Sequence, residues 1–499
     1  MKRHNLLFIF TDQQRADSLG CYGSTTGATP NLDRLAEESL VFENAYVTQP
    51  TCTPSRASIL TGLYPHNHGA TRNNLRLAPE IPTLAEMVSD DTYRAYYGKW
   101  HLGDEVVAQH GFDEWLSFED GYREHYSRPE YLERFSDYHH YLLAAGYEPD
   151  LVVDGARVFS RQMVAALPEE HTKARFLGRE TARFLHDFRQ KRGRRPFILY
   201  VAFLEPHPPY ISPLAERFPA GALPVGQTFR KVPEEDTARV NRLRALNYME
   251  AGRRHGQDLT TEAGMRTLRS HYTGNVALVD RAVGDILQAL RESGLEDETL
   301  VVYSSDHGDM LGDHGMFAKF VMYEEAIRVP LLVRIPWLRE ARGDVTGRFS
   351  QVDLVPTLLE LLGHPVPESL DGESRARVVW GEESLTDNDV FVEWNGPDGR
   401  PGKLFPGGVP QHEWAAVRGA WRTIIGREGW KLNLSRHDRC ELYDLNNDPH
   451  EEKNLFNDPA QSERVLALIE RLRRWQERTG DTALLPGWIG RTGEAYPEP

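Results

Sequence analysis

Cys52 is the cysteine whose neighbours most suggest chemical reactivity. It is the first residue of the run 52–56, which reads Cys-Thr-Pro-Ser-Arg. A lone cysteine is often a small buried side chain, but a cysteine close to positive charge can be a thiolate nucleophile. Cys52 precedes a helix-like run, so it is expected near a helix N-terminus, where anions are stabilised. Arg56 follows one turn later. The residues alone leave both interpretations open.

Polar side chains also follow three apolar, strand-like runs. They are Asp12 and Gln13 after residues 6–10, His207 after residues 197–203, and Asp306 and His307 after residues 300–303. In an α/β sheet the chemistry gathers beyond the carboxyl ends of the strands. These side chains are therefore predicted to lie at one edge of a sheet, although each alone could be an ordinary strand-end turn.

Strand-like runs alternate with helical patterns, such as residues 273–290 and 353–362, over about the first 370 residues. This alternation predicts an α/β fold, with a large sheet sandwiched by helices. We expect a catalytic domain at 1–371. Residues 113–175 are rich in Tyr and His and lack a clear period, so they are interpreted either as a lid over the site or as a surface excursion that packs on itself.

The chain from 372 to 499 is predicted to form a smaller α+β domain. Its short strands are expected at 421–425, 430–434 and 441–445, and a closing amphipathic helix at 460–478. The region 395–408 is dense in Gly and Pro and is interpreted as a loop.

Charge and cysteine content limit the partners and the location. The net charge of −16 over 499 residues argues against nucleic acid or an anionic membrane surface as the main partner. The apolar run at the N-terminus is too short for a signal peptide, and no segment is long enough to span a bilayer. Three cysteines give no disulfide framework. These observations predict a cytoplasmic protein.

Residues 52–56, followed by Leu-Thr-Gly at 60–62, resemble the signature of the sulfatase family within the alkaline phosphatase superfamily. Further family motifs recur in the expected order and cover most of the chain. The resemblance implies an alkaline-phosphatase-like fold. It also implies that a dedicated maturation enzyme oxidises Cys52 to formylglycine.

The resemblance implies four ligands for one divalent metal ion: Asp12, Gln13, Asp306 and His307. Carboxylate and amide oxygens suit Ca²⁺, the first choice, or Mg²⁺, and the imidazole nitrogen also tolerates Mn²⁺. A zinc pair would need more histidines and carboxylates. Asp309, Asp313 and His314 lie nearby and are interpreted as loop residues.

The segment 98–103 reads Gly-Lys-Trp-His-Leu-Gly and closely resembles a family motif. Lys99 and His101 alternate, so they are predicted to face one side of an extended strand end. Lys319 matches the family lysine that holds the sulfate. Asn73 lies where some relatives contact the sulfate, with Asn74 as the competing choice.

The implied reaction is hydrolysis of a small-molecule or saccharide sulfate ester by the hydrated aldehyde at position 52. In this reaction Asp306 accepts the proton of the attacking hydroxyl, and Arg56, Lys99 and Lys319 neutralise the charge of the sulfuryl oxygens. His207, with Lys319, protonates the leaving oxygen. His101 takes a proton from the second hydroxyl.

Two rival functions remain open. The pairs at 12–13 and 306–307 also resemble the metal set of phosphonate monoester hydrolases, which act on phosphonate or phosphate esters. Those relatives lack the lysine and histidine that are present here as Lys99 and His101, so sulfate is favoured. The other rival, a catalytically silent binding protein, requires that Cys52 stays a thiol.

Overall fold

The computed structural model describes residues 4–193, 195–251, 253–254, 257–338, 340–397, 405 and 407–486. The strands in chain order are β1 (Asn5–Asp12), β2 (Leu40–Tyr46), β3 (Tyr93–Gly98), β4 (Glu114–Leu116), β5 (Leu151–Val153), β6 (Ala156–Val158), β7 (Phe197–Pro206), β8 (Arg253–Arg254), β9 (Gln257–Asp258), β10 (Thr299–Ser305), β11 (Arg328–Val329), β12 (Leu331–Arg334), β13 (Gly343–Ser350), β14 (Val390–Trp394), β15 (Trp421–Ile425), β16 (Trp430–Ser435) and β17 (Glu441–Asp444).

The longer α-helices are Pro30–Glu37, Cys52–Thr61, Asp137–Ala144, Lys173–Arg192, Arg239–Ala251, Glu262–Glu292, Leu354–Leu361 and Ser462–Thr479. The shorter ones are Pro65–His68, Leu84–Met87, Arg161–Ala165, Glu324–Ile327, Ala376–Val379 and Trp414–Arg418. The helical patterns predicted at 273–290 and 353–362 are confirmed by Glu262–Glu292 and Leu354–Leu361.

The main sheet has nine strands in the order β11-β2-β12-β10-β1-β7-β3-β4, with β13 paired to β2. Strand β1 lies between β10 and β7 and is parallel to both, whereas β12 is antiparallel to β10. Every residue of β1 is buried. A central strand that is covered on both faces reads as a continuous apolar run, which is why its position was visible in the sequence.

Helices cover both faces of this sheet, because successive side chains of a strand point to opposite faces. Leu7 and Ile9 belong to one core cluster, which includes residues of the helices Lys173–Arg192 and Glu262–Glu292. Leu6 and Phe8 belong to the other, with residues of the helices Cys52–Thr61 and Leu354–Leu361. The predicted helix-sandwiched α/β sheet is confirmed.

The smaller C-terminal domain is built on the antiparallel sheet β14-β15-β16-β17, and the helix Ser462–Thr479 packs against it through Leu468 and Trp475. The three predicted strands and the closing helix are present, and β14 was not predicted. The Lys431 ammonium of β16 donates to the carbonyl of Met322 (2.7 Å), which lies in the connection between β10 and the helix Glu324–Ile327. The domain boundary at 371/372 stays a prediction. Residues 398–404 and 406 of the predicted loop, and residues 487–499 at the end of the chain, lie outside the described residues.

The segment 113–175 contains β4 at the edge of the main sheet, the helix Asp137–Ala144 and the β5–β6 hairpin. Within the described ranges, none of the helices is both long and apolar enough to cross a membrane.

Candidate active site

Two neighbouring strand ends bring the first acidic residues together. Thr11 of β1 lies opposite Ser305 of β10, and the next residue of each segment is acidic. Asp12 and Asp306 therefore lie side by side at this edge of the sheet. The N-terminus of the helix Cys52–Thr61 approaches the same point. Ligand atoms of Asp12, Cys52, Asp306 and His307 all lie within 4.8 Å of one another, and all four residues are buried.

Cys52 is the first residue of a helix whose ten residues are all buried. Its Sγ lies 2.9 Å from Lys319 Nζ, 3.2 Å from His307 Nε2 and 3.6 Å from Asp12 Oδ1. The side chain at position 52 therefore projects into the cluster of candidate metal ligands, beside a cation.

Two buried cations hold the carboxylates. The Arg56 guanidinium donates to Asp12 Oδ2 (3.0 Å) and Asp306 Oδ2 (2.9 Å), and Lys99 Nζ donates to Asp12 Oδ2 (2.5 Å). Arg56 also donates to the Lys99 carbonyl (2.8 Å). Neither cation lines the cavity described below. Their position differs from the predicted contact with sulfuryl oxygens, because both are engaged on the carboxylates behind Cys52.

The pKa values of the two carboxyl groups are shifted in opposite directions. Although burial disfavours its charge, Lys99, His207, Lys319 and Arg56 together hold the pKa of Asp12 well below its usual range. Burial, with the negative charge of Asp12, raises the pKa of Asp306 to about 6. Two carboxylates, an amide oxygen and an imidazole nitrogen make an oxygen-rich donor set that fits a hard divalent cation.

The side chain of Gln13 is oriented by Asp309. Its amide Nε2 donates to Asp309 Oδ2 (2.5 Å) and to the Tyr210 hydroxyl (3.1 Å), and its Oε1 accepts from Lys319 Nζ (2.8 Å). Asp309 is buried and also accepts from the backbone N–H groups of Leu311 and Ala318. Asp309 does lie in a loop, as the sequence predicts, and its carboxylate in addition orients Gln13.

Asp313 and His314 are placed differently from Asp309. Asp313 forms ion pairs with Arg15 (2.8 Å) and Arg269 (3.4 Å), and His314 stacks on Tyr323 at 4.0 Å between ring centroids. Their partners lie outside the metal-ligand cluster, which agrees with the interpretation of both as loop residues.

A cavity of about 850 Å³ opens over Cys52. The predicted site residues that line it are Gln13, Cys52, Asn73, His101, His207 and Lys319. His207 follows β7, and its Nδ1 lies 2.8 Å from the Pro208 carbonyl. Burial, with the charges of Lys319 and Lys99, holds the pKa of His207 well below its usual range despite Asp12. The imidazole is therefore neutral without a bound anion.

The predicted extended strand end at 99–101 is wrong. β3 ends at Gly98, and His101 has a left-handed backbone with φ 59°. The Glu105 carboxylate stabilises this turn by accepting from the N–H groups of Trp100 (3.1 Å) and His101 (2.6 Å). Burial, with the positive charges of Lys99 and Arg56, holds the pKa of His101 well below its usual range.

Both candidate asparagines line the cavity but contact different partners. Asn73 Oδ1 accepts from the backbone N–H of Thr53 (3.1 Å), next to Cys52. Asn74 Oδ1 lies 2.8 Å from His101 Nε2. Asn73 is thus tied to the start of the Cys52 helix, and Asn74 to the histidine.

Comparison with known proteins places this geometry in a family. The family model described as Sulfatase matches residues 4–364. The chain is similar to the uncharacterized sulfatase YidJ of Escherichia coli K12, with 28% identity over 98% of this chain and 93% of the relative. It is also similar to an N-acetylglucosamine-6-O-sulfatase of Bacteroides thetaiotaomicron, with 28% identity over 96% and 87%.

Among solved structures, the phosphonate monoester hydrolase of Agrobacterium radiobacter has a TM-score of 0.71 and 26% identity, and the match covers 96% of each chain. The family match extends over most of the main sheet and includes every predicted catalytic and metal-binding position. The chain belongs to the sulfatase family, whose members are sulfuric ester hydrolases of the alkaline phosphatase superfamily.

Proposed function

We propose that the protein hydrolyses a sulfate monoester to an alcohol and inorganic sulfate, using formylglycine derived from Cys52 and one divalent metal ion, Ca²⁺ as first choice. The observation that carries the proposal is the position of Cys52 Sγ, which is buried at a helix N-terminus, 2.9 Å from Lys319 Nζ and in one cluster with the candidate ligand atoms of Asp12, Asp306 and His307. A structural cysteine would need neither the cation nor the carboxylates.

Asp12, Gln13, Asp306 and His307 would hold the metal ion. A bound ion would supply positive charge that lowers the pKa of the attacking hydroxyl of the hydrated aldehyde. Arg56 and Lys99 keep the two carboxylates in place. Asp306 accepts the proton of the attacking hydroxyl.

The residues of the cavity wall act on the substrate. Lys319 neutralises charge on the sulfuryl oxygens, and Asn73 contacts the sulfate. His207 donates a proton to the leaving oxygen, because a bound anion raises the pKa of an imidazole that is neutral in its absence. His101 accepts the proton whose removal releases sulfate and restores the aldehyde.

The first experiment is an intact mass measurement of the peptide that contains Cys52. Conversion of a thiol to an aldehyde lowers the mass by roughly 18 Da. An unchanged mass in active protein would contradict the formylglycine mechanism. An unchanged mass in inactive protein would favour the silent binding protein, which remains the rival of another class.

The second experiment separates sulfate from phosphonate chemistry. The kcat/KM values for aryl sulfate, phosphate and phosphonate esters with one leaving group are compared, and sulfate is expected to be preferred because Lys99 and His101 are both present. Equal or reversed preference would support a phosphonate or phosphate ester hydrolase. Metal analysis is expected to give one ion per chain, whereas two ions about 4 Å apart would favour phosphatase chemistry.

The cavity of about 850 Å³ is large enough for a leaving group of sugar or aryl size. A saccharide sulfate ester is therefore the proposed substrate class, with residues 113–175 as the lid, residues 1–371 as the catalytic domain and residues 372–499 as the smaller domain. The three free cysteines support a cytoplasmic location, and the matching maturation enzyme is the proposed protein partner.

A further inference from the structure

The segment 113–175 reaches the active site through Tyr122. The Tyr122 ring stacks on the His101 imidazole, with 4.2 Å between ring centroids and 25° between the planes. Both residues line the cavity over Cys52. Lys99 Nζ also lies over the Tyr122 ring, 5.7 Å from its centroid. No family motif of the sequence includes this tyrosine.

A chain of charged groups, in which Arg161 is half-buried and Glu119 and Lys173 are buried, holds the tyrosine. Arg161 Nη2 donates to the Tyr122 hydroxyl (2.7 Å), and Arg161 Nε donates to Glu119 Oε2 (2.9 Å). Glu119, of which 1% is exposed, also forms an ion pair with Lys173. Lys173 is the first residue of the twenty-residue helix Lys173–Arg192. Tyr122 is thus connected to a long helix of the main core, not to a loose surface segment.

The imidazole of His101 has few other contacts that could orient it. Its Nε2 lies 2.8 Å from Asn74 Oδ1, and within the described chain its buried Nδ1 has no hydrogen-bond partner. When the Asn74 oxygen accepts from Nε2–H, the lone pair is on Nδ1. A buried nitrogen without a partner is rare in folded proteins and is expected to have a use. The ring is held at one edge by Asn74 and on its face by Tyr122.

We propose that Tyr122 is a positioning residue for His101, and that it acts in the step in which His101 accepts a proton and residue 52 is regenerated. This inference rests on the proposed function. The stacked ring restrains the imidazole, and misplacement of a reacting group by about 1 Å can cost a factor of about 100 in rate. The π face of the Tyr122 ring also stabilises the imidazolium that forms when His101 is protonated.

The kinetic test compares Tyr122→Leu, which removes the stack, with Tyr122→Phe, which keeps the ring but loses the hydrogen bond from Arg161. The substrate is 4-nitrophenyl sulfate. For Tyr122→Leu we expect kcat and KM to fall together by about tenfold or more, with kcat/KM nearly unchanged. The reason is that kcat/KM reports the steps up to release of nitrophenol, which precede the action of His101.

Rapid mixing of Tyr122→Leu with substrate should then show a burst of nitrophenol equal to the formylglycine content, followed by a slow steady state. Tyr122→Phe should show the same changes at smaller size. The matched control is Tyr147→Leu. Tyr147 lies in the same segment and packs against His171, with 5.3 Å between the ring centroids, but it does not line the cavity. The control is expected to match the wild type.

A second readout uses protein in which Cys52 is unmodified. Acylation of His101 by diethyl pyrocarbonate, followed by peptide mass spectrometry, should be several-fold faster in Tyr122→Leu because one face of a ring that is 5% exposed becomes open. Unchanged acylation in a folded Tyr122→Leu protein would overturn the proposal. If that variant does not fold, Arg161→Gln replaces it, with the same expected burst.

Kinetic outcomes separate this inference from the proposed function. A rise in KM at constant kcat would assign Tyr122 to substrate binding and overturn its positioning role. A burst in His101→Ala without one in Tyr122→Leu would overturn only the inference. Absence of a burst in His101→Ala, in enzyme with verified formylglycine, would overturn the role of His101 itself and with it both proposals.

Discussion

Substitution of Arg56 by methionine tests whether this side chain holds the carboxylates of Asp12 and Asp306, the proposed metal ligands. The guanidinium is fully buried and donates to Asp12, to Asp306 and to the Lys99 carbonyl. Methionine keeps an unbranched apolar stem but lacks the charged guanidinium, so the change leaves Asp306 without its arginine and Asp12 with Lys99. Breaking a buried ion pair by removal of one partner costs about 3–5 kcal/mol, and we expect a loss of that size in metal-free protein.

Calcium and pH should both change the size of this loss. A bound divalent ion supplies positive charge to the same carboxylates, so the loss should be smaller in saturating Ca²⁺ than in EDTA. The pKa of Asp306 is already raised to about 6 by burial. Protonation of Asp306 therefore relieves part of the cost at low pH, and the loss should be larger at about pH 8 than at about pH 5.

Urea unfolding of the Arg56→Met protein, with and without Ca²⁺, measures the free energy of unfolding. Arg377→Met is the control, because Arg377 is 58% exposed and its ion pairs within the described residues are with Glu382 and Glu383. Such surface pairs contribute about 1 kcal/mol or less. A loss for Arg56→Met no larger than that of the control, or one that is unchanged by Ca²⁺, would show that Arg56 does not hold the carboxylates.

Three further changes test separate parts of the structure. Cys52→Ser should give a stoichiometric, sulfate-sized mass increase on residue 52 without steady-state turnover, because a serine lacks the second hydroxyl that expels sulfate; sustained turnover free of wild-type enzyme would contradict this. His207→Ala should slow esters of poor leaving groups far more than nitrophenyl sulfate, and a uniform loss would exclude His207 as the acid. Although burial opposes it, Glu393 raises the pKa of His66. The stabilisation is therefore complete below about pH 6.5 and is lost as pH rises through the raised pKa, so His66→Asn should cost more stability at about pH 5.5 than at about pH 8.5; equal losses by urea unfolding would refute it.

The main sheet and the strand-end residues were predictable because their signals are local. β1 and β10 are apolar runs that end at acidic residues, and parallel pairing places both ends at one edge. β14, which directly precedes the Gly- and Pro-rich stretch, was not predicted. The extended conformation predicted for Lys99 and His101 failed because the Glu105 carboxylate binds two backbone N–H groups and turns the chain.

The site residues that the sequence did not reveal act through distant partners. Asp309 contacts Gln13, which is 296 residues away in the chain, and neither periodicity nor turn chemistry reports such a contact. Tyr122 lies in a segment without a clear period, so only the fold shows that it stacks on His101. Sequence reasoning found groups that belong to motifs, whereas the residues that orient them became visible through packing.

Because β1 and β10 are paired strands, the spacing of Asp12 and Asp306 does not depend on the segment over the cavity. The spacing between Asp12 and Asp306 is set by neighbouring hydrogen-bonded strands, which lie about 4.8 Å apart, and not by a loop. We therefore expect that changes to cavity-lining residues of the segment 113–175, other than Tyr122 and the groups that hold it, alter which alcohol is accepted while the carboxylates of Asp12 and Asp306 keep their separation. An insertion of one residue in β10 would do the opposite, because a one-residue slip moves alternate side chains to the other face of the sheet. The paired strands thus fix the acidic residues, and the remaining wall of the cavity is the part to vary when a new substrate preference is sought.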